Sequence, residues 1–131
     1  MKINQRILSL LILLLSLAPL PQANAQENDE KACAGPVFAP SEVSRRAKIL
    51  EAPSPSYTEE ARAHRVHGTV ILRAVFCRSG SVTNVEVLRG LPYGLTEKAV
   101  ESTVAMKFEP AQKDGEAVSQ SFRREITFSL F

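Results

Sequence analysis

Four residues in this chain of 131 carry side chains suited to covalent or ligand chemistry: Cys33, Cys77, His64 and His67. The two cysteines lie 44 positions apart and are the only ones present. Paired, they form a disulfide that closes a long loop, worth about 4 kcal/mol in the chain-entropy description. Unpaired, they are two separate thiols, one in an irregular segment and one in a partly buried strand. A nucleophilic Cys77 would need an imidazole within hydrogen-bond reach and a third group to orient it. His67 lies about ten residues before Cys77, roughly 30 Å along an extended strand, and His64 is further away in sequence. Spacing therefore argues against a catalytic dyad. His64 and His67 are three apart, which a helix would bring to one face, but Gly68 opens a strand there and no third ligand is evident. Two solvated histidines, no metal, no cofactor and no enzyme are expected.

The disulfide reading rests on where the chain goes. Lys2 and Arg6 precede an apolar run from Ile7 to Leu17, broken only by Ser9 and Ser16, with Pro19 and Pro21 after it. Ala23-Asn24-Ala25 then supplies the small-x-small pattern of a signal-peptidase site, so residues 1–25 read as a signal peptide cleaved between Ala25 and Gln26. A spanning helix takes about 20 apolar residues, and the stretch from Ile7 to Leu20 is only 14 residues long in all. Anchoring in the inner membrane through an uncleaved leader is the alternative. No cysteine follows the run directly, so a lipoprotein signal is not expected. Exported domains use paired cysteines structurally, which favours a Cys33–Cys77 bond. Removing Lys2 and Arg6 also leaves 14 basic residues against 14 acidic ones, none of which precedes Glu27. Nucleic-acid binding then lacks its electrostatic motive, and no membrane span remains.

Residues 26–52 read as an irregular linker, tethered by the disulfide. Gln26 to Lys31 is polar without periodicity, and Ser41 to Leu50 fits either one amphipathic turn or an extended segment. Ala52-Pro53-Ser54-Pro55 is a stiff boundary, because the residue before a proline is pushed out of the helical region. A compact domain over 53–131 follows. Ser56-Tyr57-Thr58-Glu59 satisfies a capping box, with Thr58 as a rival cap, for a short helix to His64. Thr69 to Cys77 is β-branched and apolar on both faces apart from Arg73, the composition of a central strand. Arg78-Ser79-Gly80-Ser81 turns it into Val82–Leu88, where the mismatched parity of Val82 and Val85 suggests a bulge. Thr96 can cap a second helix running to about Lys107, its stripe made by Leu95, Ala99, Val100, Val104, Met106 and Phe108. Glu109-Pro110 stops it and Lys113-Asp114-Gly115 turns. From Val118 the chain alternates, with Val118, Phe122, Ile126, Phe128 and Leu130 on one face and Ser119, Ser121, Arg123, Glu125, Thr127 and Ser129 on the other. Right-handed crossover of the helix then predicts an α+β fold. Its three-stranded antiparallel sheet runs second arm, first arm, last strand, with both helices on one face and the last strand at an edge.

These residues resemble the C-terminal domain of TonB-type energy transducers. Pro55-Ser56-Tyr57-Thr58-Glu59-Glu60-Ala61-Arg62 is similar to the family's Pro-x-Tyr-Pro-x-x-Ala, with Thr58 in place of a proline. His67-Gly68-Thr69-Val70 resembles its Gly-x-Val strand start, and Ser79-Gly80-Ser81-Val82 its hairpin turn. Leu95 with Ala99, Phe108-Glu109-Pro110-Ala111 and Ile126-Thr127-Phe128 resemble its long helix, its Phe-x-Pro-Ala block and its closing strand. The ordered set covers about residues 53–131. A full transducer of this family adds an inner-membrane anchor and a long proline-rich spacer. Residues 26–52, fully extended, reach only on the order of 90 Å, so the resemblance implies the binding role rather than the pulling one.

The partner implied is an extended peptide motif of an outer-membrane TonB-dependent receptor, bound in the periplasm by strand addition in support of transport. The edge strand would do this through Val118, Gln120, Ser121, Phe122, Arg123, Arg124, Ile126 and Phe128. One of the neighbours Gln120 and Ser121 must turn its N–H outward; sequence does not say which. Arg123 and Arg124 either keep unwanted strands off the edge or help to choose the partner, two compatible roles. The alternative function is a periplasmic structural or regulatory domain that dimerises through the same edge and has no receptor.

Overall fold

The computed structural model describes residues 18–20 and 33–130. Most of the expected leader, its expected cleavage point at Ala25 and Gln26, and the first residues of the expected linker lie outside the described residues. Among the described residues, nine elements follow in chain order. They are β1 (Val37–Phe38), β2 (Lys48–Glu51), α1 (Glu59–Ala63), β3 (Gly68–Phe76), β4 (Val82–Arg89), α2 (Leu95–Val104), β5 (Lys107–Glu109), β6 (Ala111–Lys113) and β7 (Glu116–Phe128).

The central strand is β3, as its two-sided apolar composition requires. It pairs antiparallel with β4 and with β7, so the order second arm, first arm, last strand holds at the heart of the sheet. Against β7 the register runs unshifted from Gly68↔Phe128 to Phe76↔Gln120. Against β4 it shifts twice. One shift falls at Asn84, whose φ of 52° puts it in the left-handed region. The bulge reconciles Val82, buried at the turn, with Val85 on the core side further along.

Both helices cover one face of this sheet. Ala61 from α1, Leu95 and Ala99 from α2, Val70 and Leu72 from β3, and Ile126 and Phe128 from β7 close into one cluster. A second cluster at the other end of that face gathers Ala74, Phe76, Val82, Met106 and Phe108. The apolar stripe of α2 is narrower than its pattern suggests. Ser102 and Thr103 are buried beside Ala99 and donate their hydroxyls to the Ala99 carbonyl at 3.0 and 2.8 Å, while Val104 is 51% exposed. Back-bonding satisfies the hydroxyls, so they occupy positions an apolar residue would otherwise claim.

Three expectations need correction. Helix α2 ends at Val104 rather than near Lys107, because Lys107–Glu109 extends to pair with β2, with Phe108 opposite Ile49. The stretch from Ser41 to Leu50, left open between a turn and an extended segment, divides: residues 41–44 turn, and Lys48–Glu51 is extended. Thr96 does not cap α2. Gly94 is the N-cap, at φ 79°, and the Thr96 hydroxyl instead folds the loop by accepting from Leu91 N–H and donating to Leu91 O, both at 2.8 Å. Finally, β7 is not open along its whole outer side. Ser119 and Gln120 pair in parallel with Val37 and Phe38 of β1. The strand also begins as a hairpin arm, Val118 pairing with Ala111 of β6 through a two-residue turn, Asp114-Gly115, with both φ positive as such hairpins need. Sequence reasoning missed both because strands of two and three residues are defined by their partner rather than by any pattern of their own.

The Cys33–Cys77 disulfide is formed, with Cα atoms 5.5 Å apart. It ties the start of the described N-terminal segment to the tip of the β3–β4 hairpin, just ahead of β1. Arg45 and Gln112 exchange backbone hydrogen bonds at 3.0 and 2.9 Å, and β2 completes the attachment. The residues from 33 to 51 are therefore laid against the domain rather than hanging from it.

Candidate functional site

The open part of β7 lies beyond the end of β1. The β3 hairpin shows which of its backbone groups face outward. The Cys77 N–H donates to Ser81 O at 2.9 Å, so at that end the odd-numbered residues of β3 turn toward β4. Backbone groups alternate along a strand, and β3 meets β7 without a shift. The even-numbered residues of β3 therefore bond β7, and their partners Gln120, Phe122, Arg124, Ile126 and Phe128 face inward. Outward N–H and C=O groups belong to Ser121, Arg123, Glu125 and Thr127. Ser121 stands at the border, since its hydroxyl donates to Phe38 O at 3.5 Å.

This divides the eight residues expected at the edge. Val118 and Gln120 lie under β6 and β1. The Gln120 side chain is 5% exposed, its Oε1 accepting from Ala47 N–H at 2.9 Å. Phe122 stacks on Phe76 with centroids 3.8 Å apart, and Ile126 and Phe128 belong to the core. Phe128 also receives Tyr57 edge-on at 5.7 Å. Ser121 and Arg123 keep an outward backbone. Glu125 and Thr127, which the sequence did not single out, join them. The alternation from Val118 onward put these residues on the polar face, but only the register reveals that the same parity governs the free hydrogen-bonding groups.

The two arginines part company. Arg123 lies on the face away from the helices, 3.0 Å from Glu125, in a row with Arg73 and Glu86, themselves 2.7 Å apart. Arg73 and Arg123 are cross-strand neighbours, and each like charge is offset by its own glutamate. Arg124 lies on the helix side and is half-buried. Its Nη1 donates to Thr103 Oγ1 at 3.1 Å and Ser102 Oγ at 3.4 Å, and its Nη2 to Pro53 O at 3.0 Å. Burial draws its guanidinium below the usual arginine value. A cleft of about 370 Å³ opens beside it, between Ser54, Pro55 and Tyr57 on one wall and residues 124–129 of the strand edge on the other.

The wall opposite β7 is itself well held. The Thr58 hydroxyl caps α1 by accepting from Ala61 N–H at 3.1 Å and donates to Tyr93 O at 2.6 Å. Tyr57 donates to the Val66 carbonyl. The histidines stand apart from Cys77, whose sulfur is in the disulfide. His64 stacks on Tyr93 at 4.2 Å, and the His67 ring meets Arg65 O at 3.2 Å. Among the described residues no three His, Cys, Asp or Glu side chains are grouped to hold a metal ion, and no helix is long and apolar enough to cross a membrane.

Fold and edge together define a small α+β domain with two helices on one face of the sheet and a strand edge left open beside a cleft. The chain belongs to the Gram-negative bacterial TonB protein C-terminal family, whose model matches residues 53–130. Among solved structures, the solution NMR structure of the Pseudomonas aeruginosa TonB CTD is similar at 20% identity and a TM-score of 0.56, over 73% of this chain and 96% of that one. At that identity the likeness speaks for the fold. A search of the curated proteins finds no match. The family match begins at residue 53, after Cys33, β1 and β2.

Proposed function

We propose that the chain is an exported, receptor-engaging module of the TonB C-terminal type. In this reading residues 1–25 are removed on export to the periplasm. The domain then takes an extended segment of an outer-membrane receptor as an added strand on β7, without chemistry of its own and in support of transport across the outer membrane. The observation that carries it is the outer edge from Arg123 to Thr127. It is unpaired past β1, its odd-numbered backbone groups face outward, and a cleft wide enough for side chains runs beside it. An unpaired row of N–H and C=O groups is the surface that β-augmentation uses.

Titration of the mature protein with a receptor-derived peptide, followed by amide chemical shifts, tests this. Shifts centred on Ser121, Arg123, Glu125 and Thr127 are expected. A map confined to the helices, with β7 silent, overturns the proposal. The same β7 shifts appearing with protein concentration alone would instead favour a domain that pairs with a second copy of itself.

A further inference from the structure

Arg124 is a half-buried charge on the helix side of the sheet. None of the ion pairs among the described residues includes it. Its three hydrogen bonds all go to neutral oxygens, two hydroxyls and a carbonyl, which leaves two of its five N–H groups to spare. Arg123, one residue away and more exposed, has Glu125, and Lys98 on the neighbouring turn of α2 has Glu101 at 3.3 Å. The half-buried cation thus has no carboxylate partner in any ion pair among the described residues, although a charge in that setting is screened less by solvent than an exposed one.

Its position relative to the open edge gives this a consequence. Side chains of neighbouring strands that stand opposite one another on the same face have Cβ atoms about 4.5–5.5 Å apart. A strand added to β7 therefore sets one side chain directly beside Arg124, on the helix side, inside the cleft walled by Ser54, Pro55 and Tyr57. Because Arg124 turns its own backbone inward to β3, an antiparallel addition makes this a non-hydrogen-bonded pair, the closer of the two kinds. The carboxylate of Glu125, on the other face, is already engaged by Arg123. We propose that Arg124 and this cleft form a subsite for an acidic side chain, so that the strand accepted by β7 carries an aspartate or glutamate opposite Arg124. The subsite rests on the strand-addition reading and adds the chemistry of the partner to it. The side-on donors of a guanidinium fit a carboxylate bidentately, an arrangement an amide or ammonium cannot replace.

The test uses short blocked peptides of alternating threonine and valine with one glutamate scanned along the threonine positions, and matched sets bearing glutamine or lysine instead. Affinities are read from amide shifts of β7 at low salt. The best glutamate peptide is expected to bind roughly threefold to tenfold more tightly than its glutamine twin, and the lysine twin more weakly than either. Arg124→Gln should erase the preference while the glutamine peptide still binds, and Arg124→Lys should retain part of it, with the amide spectrum of each variant confirming the fold. Equal binding of glutamate and glutamine peptides with shifts still along β7, or a preference that survives in Arg124→Gln, overturns the acidic subsite and leaves strand addition standing. No shift on β7 with any peptide overturns strand addition itself, and the subsite with it.

Discussion

Thr58 does two jobs with one hydroxyl. It accepts from Ala61 N–H as the N-cap of α1 and donates to the carbonyl of Tyr93, joining the first helix to the loop before the second. Tyr93 and Gly94 both hold positive φ, 56° and 79°, and the stack of His64 on Tyr93 presses the same two pieces together. The proline that the family commonly has at this position would fix φ but could offer no hydroxyl. Thr58→Ala is expected to lower stability by about 1–2 kcal/mol, a typical cap loss with the second hydrogen bond added. Thr58→Ser should recover most of it. Urea midpoints of the two variants check this, and equal midpoints would mean that the cap contributes nothing. Arg124 shows the opposite relation of residue to sequence. Its neighbour Arg123 looks the same in the chain, and only the pleat separates a paired surface charge from an unpaired half-buried one.

At the scale of elements, β7 serves three partners at once. Glu116–Val118 pair with β6, Ser119 and Gln120 are held on the outer side by β1, Gln120–Phe128 are held on the inner side by β3, and the outer side past β1 stays open. Proline separates these roles because it deletes a donor and is tolerated only where the N–H points to solvent. Arg123→Pro removes an outward donor and should leave a folded protein whose affinity for an added strand drops by about tenfold, the effect of one lost main-chain bond of roughly 1.4 kcal/mol. Phe122→Pro removes a donor to β3 and should unfold the sheet. Circular dichroism and peptide titration of the pair decide the matter. A folded Phe122→Pro beside an unfolded Arg123→Pro would reverse the assignment of inward and outward residues.

For the whole molecule, the disulfide determines how much of the edge is available. It closes a loop of 44 positions and holds β1 against Ser119 and Gln120. Reduction should lower stability by about 2–4 kcal/mol and the melting temperature by roughly 10 °C or more. It should also raise amide exchange along Val37 and Phe38 before the β3–β7 ladder responds, since β1 is only two residues long and follows directly on the bond. Unchanged exchange in β1 on reduction would show that β2 and the Arg45–Gln112 bonds hold it alone. The intact mass of protein recovered from the periplasm is expected to correspond to a chain beginning at Gln26. A chain still beginning at Met1 in the membrane fraction would return the anchored alternative.

The long elements were legible because their patterns are local. Apolar residues on both faces from Thr69 to Cys77 mark a strand with neighbours on each side. Strict alternation from Val118 marks a strand with one buried face, and proline before a capping sequence marks where the first helix begins. The family resemblance follows from the same stretches. What lay beyond the sequence depends on partners distant in the chain. Strand β2 is exposed along its whole length and exists because β5 lies beside it, while β1 exists because a disulfide delivers it to β7. The end of α2 was misjudged because Phe108 continues the helical stripe as well as it fills a strand, and the pairing with Ile49 decides between them. The identity of the outward residues on β7, and the absence of a carboxylate beside Arg124, are properties of register and of space. Sequence alone determined which segments must be strands and helices, since apolar periodicity acts over a few residues. Tertiary structure alone decided which edge stays open and which charge is left unmatched, since both are set by groups that meet across scores of residues.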